Sequence, residues 1–355
     1  MKAHNTKSDP KKRASITLKT VAEHVGLTSG TVSAVLNNSP ASRSFPEQTK
    51  KRVLEAAREL NYRPNFFARS LRVQRNYTIG VIAQEIGDPY GGTIISGIEL
   101  FLRERGFFFL TVAHRHDTKL HQTYSNLLLE RGVEGFIAID TSIKEVPTIP
   151  TVAIAGHLQV DGVTNLVLDH RKAVRMALKH LTELGHSEIV FMKGPTSSSD
   201  SEDRWQAILE VSRELGVQTS PELMIVLDGD KVTPDLGYTF VKRFLSQNNR
   251  SFTALFAYND TSAFGAIRAI HEEGLHVPND VSVVGFDDIE SAAYSNPPLT
   301  TVRQPLQRMG EIAALTLLNR IENLEPYVPR IAIEPEFIVR ESTARVRNSH
   351  KQGKR

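Results

Sequence analysis

In the larger part of this 355-residue chain, acidic and basic side chains recur just after apolar, β-branched runs. Asp169 follows "TNLVL", Asp260 follows "ALFAYN", and Asp287 and Asp288 follow "VSVVGF". Arg204 lies just beyond the polar stretch "PTSSSDSED", itself preceded by "EIVFMKG". If those runs are parallel strands, these side chains stand at carboxyl ends, where open α/β sheets bind ligands. Carboxylate and guanidinium groups grip adjacent hydroxyls, or an acidic ligand, through paired hydrogen bonds. The chemistry to expect is recognition of a polyol-like small molecule. Asp260 could also cap the helical stretch "TSAFGAIRAIHEEG", a role compatible with ligand contact. Asp288 suits holding a loop, and Trp205, the single tryptophan, could stack on a ligand or pack.

Patterns for bond-making chemistry are missing. "HEEGLH", from His271 to His276, spaces its histidines five apart, so they do not share a helix face as zinc-protease ligands do. There is no phosphate-binding P-loop, dinucleotide glycine fingerprint or serine elbow. His114, His116, Asp117 and His121 resemble metal ligands, but a loop-to-helix position makes Asp117 a helix cap instead. With no cysteine in the chain, disulfides and thiolate sites are excluded. No cofactor is called for. The longest apolar runs, such as "FFFLTVA", are too short to span a bilayer, and the start lacks a signal-peptide core. A cytoplasmic protein without membrane partners is expected.

From Ile79 onward, short β-rich runs alternate with amphipathic helical stretches, which implies parallel sheets in an α/β body. The candidate strands are "IGVIA", "FFFLTV", "GFIAI", "TVAIA", "EIVFM", "LMIVL", "ALFAY" and "VSVVGF". The preceding part differs in kind. Residues 1–77 carry 15 Lys and Arg against 5 Asp and Glu, a surplus of ten that the net charge of +3 conceals. A basic head on an acidic body points to a polyanion at the head alone. After a basic tail, the head reads as three short helices. Leu18, Val21, Ala22 and Val25 share one face, Gly26 ends that helix, and Thr28 caps the next, with Val32, Val35 and Leu36 inward. Ser44 and Glu47 have capping-box spacing before a third helix with Val53, Leu54, Ala57 and Leu60 inward.

The spacing of Ala22, Gly26 and Val32 fits a helix-turn-helix: a small residue at the crossing, a turn, and an apolar wedge in the angle. The start of its second helix, Thr28, Ser29, Gly30, Thr31 and Ser33 with Ala34 one turn on, would then face base edges, unless Ser29 and Gly30 only serve the helix's first turn. Small hydroxyls and methyls can read bases there, while phosphate contacts fall to Lys19, Arg43, Lys50 and Arg63. "RPNFFARSLR" follows, a helix barely two turns long and marginal alone. Its Ala68 and Leu71 lie on one side, and Leu71 could be a minor-groove wedge or a linker core residue.

With these residues in view, the sequence resembles the LacI/GalR family of bacterial transcription repressors. The resemblance rests on "TLKTVAEHVGLTSGTVSAVLN", "TKKRVLEAARELNYRPNFFARSLR", "HLTELGHSEIVFMKGP", "NDTSAFGAIRAIHEEGLHVPNDVSVVGFDDI" and "NPPLTTVRQP". It implies an all-α helix-turn-helix head and hinge helix joined to a two-lobed α/β body like the type I periplasmic sugar-binding proteins. It also implies a homodimer on a pseudo-palindromic operator in double-stranded DNA, controlled by a small-molecule effector such as a sugar. By position, Ser29, Gly30 and Ala34 match the family's base-reading sites and Leu71 its minor-groove leucine. Asp260 and Arg204 match principal effector positions, Asp169 matches more weakly, and Tyr90 matches a cleft residue of the first lobe. The segments expected are a tail at 1–14, a DNA-binding domain at 15–63, a hinge at 64–76, an effector-binding and dimerisation domain at 77–342, and a basic tail at 343–355. The chain departs from the family in its small Gly30 and Ala34, in a longer "NNSPASRSFPE" connection, and in both basic tails. The rival readings are a sugar-binding protein or a sugar-modifying enzyme with an incidental basic head. Whether effector favours or releases DNA is open.

Overall fold

The computed structural model describes residues 16–62, 75–156, 158–196, 198–229, 233–247 and 252–346. The chain divides into two compact units at the Asn76–Tyr77 bond, and each is described by itself.

In the first unit, α1 (Leu18–Val25) starts where Thr17 and Thr20 bond each other's backbone N–H reciprocally. It ends at Gly26, whose φ of 66° is the left-handed geometry that glycine adopts without strain. Thr28 then caps α2 (Ser29–Leu36), its Oγ1 accepting from the Thr31 N–H at 3.2 Å. A 3-10 turn at Pro40–Ser44 leads to α3 (Glu47–Glu59). Val21, Ala22, Val25, Val32, Val35, Val53, Ala56 and Ala57 form the shared core.

Two local expectations are corrected. Ser44 makes no capping box with Glu47, because its hydroxyl donates to the Ala41 carbonyl and α3 starts after Pro46 without a side-chain cap. Leu54 is 43% exposed. Ala56, three positions beyond Val53, completes the inward stripe in its place. The hinge positions Ala68 and Leu71 and the tails at 1–14 and 347–355 lie outside the described residues.

The second unit holds two six-stranded sheets. The first contains β1 (Thr78–Ala83), β2 (Phe108–Ala113), β3 (Phe136–Ile139), β4 (Thr151–Ile154) and β5 (Val163–Leu168), with β11 (Arg330–Ile333) beyond β5. Its order is β11-β5-β4-β3-β1-β2, parallel throughout. The second, in order β12-β10-β9-β8-β6-β7, contains β6 (Ile189–Lys193), β7 (Met224–Val226), β8 (Ala254–Phe256), β9 (Ser282–Asp287), β10 (Thr300–Arg303) and β12 (Glu336–Ile338). Only β12 runs antiparallel, against β10. Strands β1, β5 and β9 are buried along their whole length, as parallel strands covered on both faces must be. The eight candidate strands are all present; the additions are β5, whose "TNLVL" was noted only for the acid after it, and β10, β11 and β12, which are short and polar or exposed and so carry little periodic signal.

Helices α4 (Pro89–Glu104), α5 (Thr118–Glu130) and α11 (Leu306–Ile321) pack on the first sheet. With the second go α6 (His170–Glu183), α7 (Ser199–Leu215), α8 (Pro234–Gln247), α9 (Asp260–Glu272) and the short α10 (Glu290–Tyr294). The chain therefore crosses between lobes three times: at Asp169, at Gln304 and Pro305, and at Glu334 and Pro335. Asp169 N–H donates to the Ile333 carbonyl at 3.0 Å, which ties the first and third crossings together.

Close helix contacts depend on glycine. A Cβ on Gly97 of α4 would stand 2.0 Å from the Gln307 carbonyl oxygen, and one on Gly310 of α11 would stand 2.1 Å from that of Ile94. Backbone cannot yield there as a flexible side chain could. Gly310→Ala is expected to cost about 1–3 kcal/mol by overpacking. The measurement is the urea midpoint, which falls at unchanged slope. A wild-type midpoint would mean that α4 and α11 separate freely.

Candidate functional sites

The carboxyl ends of both sheets' central strands open into one cavity of about 800 Å³, counting its open mouth. From the first lobe come Gln84, Glu85, Asp88 and Tyr90 after β1, with Ile139 and Asp140 at β3. From the second come Ser198, Asp200 and Arg204 after β6, Tyr258 and Asn259 after β8, and Asp287 at the end of β9. Strand crossover dictates this location, because every parallel strand delivers its following loop to the same edge.

Backbone strain collects at that edge. Among the described residues, ten non-glycine positions have positive φ, and six of them, Arg115, His116, Asp140, Ala155, Asp287 and Asp288, directly follow β2, β3, β4 or close β9. Such conformations cost on the order of 1–3 kcal/mol each and persist where surrounding structure enforces them.

Arg204 is only 4% exposed. Its guanidinium donates to the Tyr258 carbonyl at 2.6 Å and to Asp200 Oδ2 at 3.2 Å, and lies 3.7 Å over the Phe286 ring. Its Nε, though buried, has no hydrogen-bond partner among the described residues. The hydroxyl of Tyr90, buried at its tip, has none either. Burial, reinforced by Asp200, Asp140 and Asp287, holds the Tyr90 phenol well above its ordinary pKa, so it stays a neutral donor. Asp287, 5% exposed, accepts from Gln304 Nε2 at 2.8 Å. Burial pushes its carboxyl well above the usual range; Arg204 pulls it down and Asp260 pushes it further up.

Of the expected effector residues, Tyr90 and Arg204 line the cavity, whereas Asp169 and Asp260 do not. Asp169 caps α6, accepting from the Lys172 N–H at 2.9 Å. Asp260 begins α9 and is fully buried, its oxygens accepting from Thr301 Oγ1 at 2.6 Å and Ile289 N–H at 2.9 Å. The helix cap is its neighbour Asn259, which also faces the cavity. The physical reason is a one-residue offset: the loop leaving β8 turns Asn259 toward the cleft and the next side chain under β9. Asn259, Asp200 and Asp287 are among the cavity residues not expected as effector contacts; all three stand in strings noted in the sequence, which could not say which neighbour points outward. Asp288 braces its loop between Arg303 Nε at 2.6 Å and an Arg340 nitrogen at 2.7 Å. Trp205 packs edge-on against Phe191. Asp117 caps α5, and His114 bonds Thr141 at 3.0 Å. Burial, aided by His121 and His116, lowers the pKa of His114 to about 4. Among the described residues, no group of three or more such side chains is arranged to hold a metal.

In the first unit, Ser29 and Gly30 are exposed at the start of α2, and Thr31 and Ala34 are half-buried. Ser33 turns inward, its carbonyl and hydroxyl receiving Asn37 Nδ2. Lys19 pairs with Glu23 and Lys50 with Glu47, while Arg43 is exposed on the 3-10 turn. Arg63 lies outside the described residues. Arg52, not singled out from the sequence, donates to the Val25 carbonyl at 2.8 Å and so closes the end of α1.

Residues 17–65 match the model of bacterial regulatory proteins of the lacI family, and residues 178–343 match the periplasmic binding protein-like domain. The transcriptional repressor PurR of Haemophilus influenzae is 33% identical over 339 residues, covering 92% of this chain and 98% of that protein. This chain belongs to the LacI family. The transcriptional repressor PurR of Mannheimia succiniciproducens is 32% identical to it, covering 93% of this chain and 99% of that protein. Among solved structures, a Lac repressor dimer bound to operator and the anti-inducer ONPF superposes with a TM-score of 0.84 at 25% identity, covering 93% and 99% of the two chains. The regulator CelR in complex with cellobiose gives 0.68 at 28% identity, covering 92% and 99%. As a LacI-family member, the chain is a DNA-binding transcription regulator with a ligand-binding, two-lobed α/β body. No described helix is long and apolar enough to cross a membrane.

Asp260 gives the body a distinctive pH response. Burial raises its pKa from 3.8 to about 7, against the opposing hydrogen bonds from Thr301 and Ile289. Between those values the folded chain holds a proton that the unfolded chain has lost, so this group's contribution falls as pH rises from about 4 to about 7, then levels. Asp260→Asn mimics the protonated form. Its melting temperature minus that of wild type is expected to climb across that window and then flatten. A constant difference would show that Asp260 is ionised in the folded protein throughout.

Proposed function

We propose that this LacI-family regulator is a cytoplasmic, homodimeric repressor that reads a pseudo-palindromic operator and is controlled by a sugar or related polyol in the inter-lobe cleft. One observation carries the effector reading. Carboxylates, Asn259 and the Arg204 guanidinium converge on one cavity in which Tyr90 and Arg204 keep buried hydrogen-bonding atoms without partners among the described residues. Buried polar groups of that kind are uncommon and call for a polar guest. The cellobiose complex of CelR, and a LacI-family regulator from Enterococcus faecium with bound ribose (26% identity, TM-score 0.66, covering 76% of this chain and all of that one), support a sugar class.

On the DNA side, Ser29, Gly30, Thr31 and Ala34 read bases, and Lys19, Arg43, Lys50 and Arg63 contact phosphates. Ala68 and Leu71 act at the minor groove. Segments 1–14, 15–63, 64–76, 77–342 and 343–355 divide these tasks as the sequence suggests. The effector works by linkage: it shifts operator affinity only as far as it prefers one arrangement of the lobes.

Gly30 separates reading from folding. A Cβ there would meet only the Thr28 hydroxyl, at an ordinary 3.7 Å. Gly30→Ala should therefore hold or raise stability, by up to about 1 kcal/mol, yet change the sequence selected from random duplex DNA. An unchanged consensus would remove Gly30 from the reading surface. For the effector, thermal melting against neutral mono- and disaccharides should find one that stabilises wild type but not Asp287→Asn, with operator binding intact in both. Equal stabilisation of the two proteins would place the sugar elsewhere.

A further inference from the structure

Two of the cleft carboxylates are bonded to the segments that join the lobes. Asp200 Oδ1 accepts from His170 Nε2 at 3.2 Å, and His170 is the first residue after the Asp169 crossing. Asp287 Oδ1 accepts from Gln304 Nε2 at 2.8 Å, and Gln304 is itself a crossing residue. A backbone bond strengthens the second link, from Gln304 N–H to the Asp287 carbonyl at 3.2 Å. The four side chains are at least nine-tenths buried: His170 is 7%, Asp200 6%, Asp287 5% and Gln304 3% exposed. Water therefore screens neither bond, and each is directional in a low-dielectric setting. The third crossing joins the first through Asp169 N–H to Ile333 and through the Lys172–Glu334 ion pair. All three crossings are thus wired to Asp200 or Asp287.

We infer that His170 and Gln304 are positioning residues that set the angle between the lobes by holding two crossings to carboxylates which also face the cleft. A ligand hydroxyl that draws on Asp200 or Asp287 competes with these bonds, so cleft occupancy and lobe angle are coupled at two residues. The inference rests on the reading of the cleft as the effector site, but its test needs no ligand.

The chain lacks cysteine, so two introduced thiols can be spin-labelled without background. Gln122→Cys on α5 and Glu273→Cys just after α9 are exposed, one on each lobe and outside the cleft. Electron–electron distances are measured in the full chain, diluted with unlabelled protein. Gln304→Leu and His170→Leu should each shift the mean by roughly 2 Å or more, or broaden the distribution comparably. His170→Gln, which retains an N–H donor, should restore the parent distribution. If Gln304→Leu does not fold, Gln304→Met, which keeps the length of the side chain but has no N–H to donate to Asp287, serves in its place, with the same shift expected. A role confined to stability would lower the melting temperature and leave the distances unchanged, and that result would overturn the inference. The sugar panel above judges the effector reading separately, because these distances are recorded without sugar.

Discussion

The body depends on one constraint: a parallel sheet covered by helices on both faces can offer polar chemistry only at its strand ends. Two such sheets, with their carboxyl ends opposed, create a polar cleft between them. The same constraint makes the cleft expensive. Asp200, Arg204 and Asp287 lie almost wholly out of solvent, so each must be neutralised or hydrogen-bonded by protein. Arg204 answers Asp200, Gln304 answers Asp287, and His170 answers Asp200 from the other side. Satisfying the cleft therefore means tying it to the connecting segments, and a binding site becomes a mechanical element.

Asp260 illustrates how far this extends below the surface. It supports the cleft from beneath, receiving N–H and O–H groups from the loop after β9 and from β10. Gly285 on β9 is without a side chain because a Cβ would stand 2.2 Å from an Asp260 oxygen. The positive φ angles of Asp287 and Asp288 follow two residues later. A glycine, a buried acid and a strained turn thus jointly aim Asp287 at the cavity, while Asp288 is clamped by two arginines behind it.

The first unit solves a different problem with smaller means. Its core is mostly valine and alanine, and short helices of that size need caps and crossings more than bulk. Thr17, Gly26, Thr28 and Arg52 supply terminal hydrogen bonds or turns. With those tasks met from the flanks, the outer start of α2 is left to small side chains, and charge is kept to neighbouring elements.

The sequence by itself determined the element order, the family, the helix-turn-helix and the placing of acids and bases at strand ends. Those features follow from local periodicity, capping chemistry and long strings of matching residues. It also singled out Tyr90 and Arg204, which line the cleft. It could not decide between adjacent residues in a turn, where Asn259 rather than Asp260 faces the cavity, nor which strand ends reach it, since Asp169 does not. Nor could it decide that Ser33 points inward, that Leu54 points outward, or that His170 and Gln304 reach cleft carboxylates. Pattern constrains which residue types stand at a strand end, whereas backbone torsion at that end selects the direction of each side chain. Torsions there are enforced by contacts from distant segments, and those contacts exist only once the chain has folded.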